Sequence, residues 1–250
     1  MWIFKAPTNY SEMRNKISTS VFWITLIETF ILTQASSGFS DLMTLLSFGK
    51  NIKIDNVELN IALLYLPIII SIIENIFKMH DVIGKRVNLR NRYDGLIIFY
   101  QYLTEFGIQK TRNDCKKIYI NDKELRDTIG KHFYSYTSST KPIIDKHDII
   151  MALDAWCWVW ILIDNIVISL LFLIGSLLYT IIFHGSYWLV LGLLIFIILL
   201  IILTFFTLKF ECAKYSTREV KNIIIYDNEQ NEGKKNEELK EKIENALQCK

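Results

Sequence analysis

The sequence predicts an all-α membrane protein with four transmembrane helices in two hairpins, plus a mostly helical cytosolic domain carrying a small β pair. Three observations carry that expectation. Residues 189–208 (LVLGLLIFIILLIILTFFTL) hold twenty positions without a charge. At 1.5 Å per residue such a helix is about 30 Å long, the thickness of a bilayer's hydrocarbon core. A helix on a soluble surface keeps a polar face instead. Further apolar runs at 17–35, 59–77 and 155–183 are also long enough to cross. The cations are segregated, 26 of the 28 Lys and Arg falling in 1–16, in 78–154 or from Lys209 onward, and 2 between the first two runs. That bias puts both termini and the long insert on the cytoplasmic side. The expected segments are a cytosolic N-terminus (1–16), a first hairpin (17–77), a basic insert (78–154), a second hairpin (155–210) and a cytosolic tail (211–250).

Each element follows from local pattern. The first run (ISTSVFWITLIETFILTQA) is the most polar of the four, with Thr25, Glu28, Thr29, Thr33 and Gln34 inside it. Ser40-Asp41 can cap a short interfacial helix reaching Phe48. The second run (LNIALLYLPIIISIIENIF) contains Pro67, which is expected to kink it. In the insert, 93–106 is apolar at helical spacing and rich in tyrosine, and 122–136 reads as a helix that Lys141-Pro142 ends. The short runs 116–120 (KKIYI) and 220–226 (VKNIIIY) have strand character and are expected to pair. Residues 143–152 lead straight into the third span, which opens with Trp156, Trp158 and Trp160 where an interfacial aromatic belt belongs. His184-Gly185-Ser186 turns the chain into the fourth. In the tail, 234–248 is a charged helix with Leu239, Ile243 and Leu247 on one face, the pattern of a docking or coiled-coil stripe.

Three acids fall within the spans: Glu28, Glu74 and Asp164. An ionisable group in hydrocarbon costs about 2.5–3.5 kcal/mol, so it faces protein or water. Glu28 lies about eleven residues into its run, roughly 16 Å deep, and Asp164 about nine. Glu74 is four residues from Lys78 and is expected to reach the interface. All three are candidate pore-lining groups, the alternative being carboxylates that bond to neighbouring Thr, Asn165 or Trp groups and fix helix packing. A second cluster comprises Lys85, Arg86, Arg90, Arg92 and Tyr93. Guanidinium forks suit phosphate and aromatic rings stack on bases, so a nucleotide could bind here; taken alone, the stronger reading is that these juxtamembrane cations face anionic lipid headgroups.

Several activities find no support. The four cysteines and four histidines are scattered, without CxxC or ligand spacing, so no metal site and no cofactor is expected. No Ser-His-Asp order, P-loop or dinucleotide fingerprint is present, and an enzyme is not expected. Arg126 and His132 match the R-x(4–6)-H spacing of HEPN ribonucleases, over seven residues only.

Two membrane hairpins framing a basic insert, with Glu28 and Asp164 in the spans and Lys85, Arg86, Arg90 and Arg92 beneath them, resemble the small membrane effectors of bacterial antiphage defence, HalB-like channels of the Hailong type. The resemblance is architectural. It implies a homo-oligomer, such as a tetramer, in the bacterial inner membrane, conducting ions under control of a nucleotide or DNA oligomer made by a nucleotidyltransferase. A scaffold that anchors a cytosolic partner through the insert and tail is the competing expectation. A proton-coupled transporter ranks below both, because the hairpins show no internal repeat.

Overall fold

The computed structural model describes residues 5–35, 37–46, 51–54, 57–89, 93–109, 111–138, 142–183, 187–230 and 232–248. In chain order the elements are α1 (Tyr10–Ala35), α2 (Ser37–Leu46), β1 (Asn51–Ile54), β2 (Val57–Asn60), α3 (Ala62–Phe77), α4 (Met79–Val87), α5 (Gly95–Glu105), α6 (Arg112–Asn121), α7 (Lys123–Tyr136), α8 (Lys146–Phe183), α9 (Tyr187–Phe206), a π-helical turn (Thr207–Cys212), α10 (Ala213–Gln230) and α11 (Lys234–Gln248). Two compact units form. The first comprises 1–5, 11–82 and 157–206, and the second 6–10, 83–156 and 207–250.

The first unit is apolar outside. Tyr10–Gln34, Lys146–Ile182 and the helix that starts at Tyr187 are long and apolar enough to cross a membrane. Ala62–Phe77 and Met79–Arg86 pass the same test only as a pair bent by 52°, so the candidate spans number three or four among the described residues. Ile27, Ile31, Ile76, Leu171, Ile182 and Leu199 point outward, while Ser20, Thr25, Thr29, Asn165 and Ser169 are buried. A water-soluble protein has the reverse distribution. Two hydroxyls close on their own helix, Thr29 Oγ1 to the Thr25 carbonyl (2.6 Å) and Thr33 Oγ1 to that of Thr29 (2.8 Å). Between helices, Ser18 and Ser71 approach closely enough for their hydroxyls to meet at 3.2 Å and for each to donate to the other's carbonyl, at 3.3 and 3.1 Å. Small residues allow that contact between α1 and α3. Leu32, Phe39, Met43, Ala62 and Leu193 form an apolar cluster at which Phe39 meets Phe172 edge-on, 5.9 Å between centroids.

The second unit has an ordinary apolar core built by α5, α6, α7, α10 and α11 with the start of α8. Phe99 stacks on Tyr119 at 5.1 Å. Gly107 (φ 69°) ends α5, where its N–H and that of Ile108 donate back to the carbonyls of Thr104 and Leu103; a left-handed residue at that position favours glycine. Asp122 caps α7 by accepting from the Leu125 N–H at 2.9 Å. Asp227, fully buried, accepts from the Tyr136 hydroxyl and from the Asn236 N–H, both at 2.9 Å, and so ties α7 and α11 to α10.

Several expectations are corrected. The proposed strands at 116–120 and 220–226 are helical, within α6 and α10. Their β-branched residues invite a strand, yet Cys115 and Tyr119, and Ser216, Val220, Ile223 and Asp227, are buried at helical spacing, and burial outweighs weak β propensity. The helix of the second apolar run begins at Ala62, because 57–60 pairs antiparallel with 51–54. The short helix expected to start at Ser40 begins at Ser37. Pro67 lies within α3, and the break falls instead at Lys78. Leu239, Ile243 and Leu247 dock into the unit's own core. Phe48, Arg90, Arg92 and the turn at 184–186 lie outside the described residues.

Candidate functional site

In the first unit, α1 buries Met13, Ile17, Val21, Thr25, Glu28 and Leu32, one stripe at helical spacing. Glu28 is 7% exposed. Ser169 of α8 is directed at its carboxyl but stands outside hydrogen-bond geometry, and neither carboxylate oxygen has a hydrogen-bond partner. On α8, Asp164, Asn165, Ser169, Ser176 and Thr180 are buried as well. Asn165 Nδ2 donates to the Ile161 carbonyl at 2.6 Å, which fixes the amide without serving either acid.

The densest arrangement joins Glu74, His80 and Asp164. In an uninterrupted helix positions 74 and 80 stand about 120° apart around the axis, on different faces. The break at Lys78 removes that constraint. Lys78 adopts a left-handed conformation (φ 47°) and its N–H returns to the Glu74 carbonyl at 2.7 Å, so α3 stops and α4 starts in a new direction. His80 Nδ1 then lies 2.9 Å from Glu74 Oε1 and 3.6 Å from Asp164 Oδ2. His80 Nε2 faces Asp81 Oδ1 at 3.8 Å, and the ring of Trp160 lies 5.9 Å from the imidazole. All three residues are buried, with Asp164 at 2% and His80 at 0% exposure. Both Asp164 oxygens and Glu74 Oε2 lack hydrogen-bond partners. Two carboxyl groups in so dry a place are either protonated or compensated by positive charge, from a proton on the imidazole or from a bound cation. Glu74 is thus turned inward to His80, not outward to an interface with Lys78.

Glu74 and Asp164 were singled out by sequence and the structure joins them; Glu28 occupies a separate stretch of the same unit, and His80 carried no sequence signal. The cationic cluster fares differently. Lys85 and Arg86 are exposed on α4, whereas Tyr93, half-buried before α5, has its phenol pushed up to about 12 by burial. The Arg126 guanidinium donates to the carbonyls of Tyr119 (2.9 Å) and Ile120, capping α6. His132 Nδ1 meets the Tyr102 hydroxyl at 3.0 Å, and burial lowers its pKa from 6.5 to about 4. Both members of the nuclease-like spacing therefore have structural work within the second unit.

Residues 9–235 match the model of the YmfE protein family. The chain belongs to that family. The matched stretch contains Glu28, Glu74, His80 and Asp164 and ends just inside α11. No curated protein and no solved structure matches this YmfE family member.

Proposed function

We propose that the chain is an integral membrane protein of four crossings, with α3 and α4 together making one, and that its polar interior handles cations as a homo-oligomeric channel. The observation that carries this is the meeting of Glu74, His80 and Asp164 at a broken helix inside a unit with an apolar exterior. Broken helices in membranes are tolerated where they line a cavity or a site, because the break frees backbone groups that hydrocarbon cannot satisfy. Glu28, buried without a hydrogen-bond partner, supports a polar path through the same unit. One such subunit is too small to surround a wide aqueous path alone, which favours association about a rotational axis. With both termini cytoplasmic, the exposed Lys85 and Arg86 suit an anionic cytosolic ligand, a nucleotide or oligonucleotide, as the gating signal. A place in antiphage defence rests on the architectural resemblance alone.

The scaffold alternative loses its natural docking face, since Leu239, Ile243 and Leu247 are used within the chain. Reconstitution into planar bilayers tests conduction. Cation currents that change on adding nucleotides or DNA oligomers, and that fall in Glu28→Gln and Asp164→Asn, are expected. Silence under every ligand refutes it.

A further inference from the structure

We propose that Glu74, His80 and Asp164 form a binding site for a divalent first-row transition-metal ion. The inference rests on reading this cluster as a cation site but not on conduction, so binding and flux are separate measurements.

Geometry is the first support. Two ligands about 2.1 Å from a shared ion stand about 3.0 Å apart at a right angle and about 3.4 Å apart at the tetrahedral angle. The imidazole nitrogen lies 2.9 Å from one carboxylate oxygen and 3.6 Å from the other, bracketing those values. All three candidate ligand atoms fall within 4.8 Å of one another. Ligands on α3, α4 and α8 thus converge on one point.

Charge is the second support. A proton on His80 balances one of the two carboxylates, whereas a dication with neutral imidazole balances both. The free oxygens of Asp164 and Glu74 are otherwise buried with no donor, which a low-dielectric site does not tolerate cheaply.

The surroundings supply a third. A metal-binding histidine commonly turns its other ring nitrogen to a carboxylate, which fixes the tautomer and the ring orientation. Here Nδ1 faces the site and Nε2 faces Asp81, while Trp160 packs against the ring. One nitrogen and two carboxylates form a borderline donor set. It suits Zn²⁺, Mn²⁺ or Fe²⁺, and suits Mg²⁺ and Ca²⁺ poorly because those prefer all-oxygen shells.

The test uses the full chain in detergent, purified on a tag without histidines and stripped with a chelator. Zn²⁺ is titrated by calorimetry, retained metal is counted by mass spectrometry, and Co²⁺ loading is followed by visible absorption. About one ion per chain is expected, with a Co²⁺ spectrum of nitrogen and oxygen ligation and no response to Mg²⁺ at matched concentration. Asp164→Asn and Glu74→Gln should weaken binding more than Asp81→Asn does, the latter costing roughly 10–100-fold. His147→Ala, at an exposed histidine elsewhere in the chain, should leave it unchanged. The proposal is overturned by a Co²⁺ spectrum identical to the free aqua ion, by a thiolate-to-cobalt band that marks a cysteine site, or by wild-type affinity in Asp164→Asn. Should either acid variant fail to purify as one species, the wild-type spectrum and stoichiometry decide alone. Metal binding without current removes the channel and keeps the site; current without metal binding does the opposite.

Discussion

Replacing Glu28 with leucine should strengthen the fold and abolish cation current. The residue is 7% exposed, and both carboxylate oxygens are buried without hydrogen-bond partners. A carboxylate at such a position costs about 2.5–3.5 kcal/mol, and a leucine there gains about 0.5 kcal/mol. The two side chains are similar in size, so little cavity or overpacking cost offsets the change. The denatured chain in a micelle also shields part of the acid, which reduces the expected net gain to about 1–3 kcal/mol. Unfolding in sodium dodecyl sulfate, followed by tryptophan fluorescence, measures it directly. Glu28→Gln should fall between the two, because the amide keeps the shape and loses the charge. A loss of more than about 1 kcal/mol in Glu28→Leu would show that donors hold the carboxylate after all. Full current in a stabilised Glu28→Leu would show that the acid lies off the ion path.

Other substitutions probe the rest of the structure. Tyr136→Phe takes one donor from fully buried Asp227 and should destabilise the second unit by about 1.5–3 kcal/mol in thermal unfolding of the full chain. His132 is neutral in the folded protein, since burial lowers its pKa from 6.5 to about 4. The unfolded chain therefore takes up this proton first, and stability held above pH 6.5 is lost as pH falls toward 4, on the order of 2 kcal/mol. His132→Gln should flatten that part of the stability profile, and an unchanged slope would refute the assignment. Lys78→Gly should raise stability by about 1 kcal/mol, since glycine adopts the left-handed conformation without the clash that a Cβ causes.

Long apolar stretches were legible because hydrocarbon imposes one requirement on twenty consecutive positions, and no tertiary detail alters it. Glu28 and Asp164 were legible for the same reason, as exceptions to that requirement. His80 was not. It sits in a basic, apparently polar stretch, and helical arithmetic sets it apart from Glu74; only the break at Lys78 brings them together. A lysine in a left-handed cap leaves no mark in sequence, whereas glycine or proline would. Pro67 drew attention to the wrong turn of the helix for that reason. The strand expectation at 220–226 failed on composition: three consecutive isoleucines favour either state locally, and burial of Val220, Ile223 and Asp227 on one helical face decides between them.

Glu28 and Asp164 of the first unit differ from the buried acids Asp94 and Asp227 of the second. In the second unit Asp227 receives donors from Tyr136 and Asn236, and Asp94 receives the Ser216 hydroxyl at 2.6 Å. These carboxylates hold elements together, so replacing their partners should cost stability. In the first unit Glu28 and Asp164 have no hydrogen-bond donor, although serines, threonines and an asparagine lie buried on the same helices. Thr29 closes on its own backbone, whereas the buried hydroxyls of Ser20, Thr25, Ser169 and Ser176 have no hydrogen-bond partner. Under the proposed cation function, the two acids without donors would meet a cation that arrives from outside the chain.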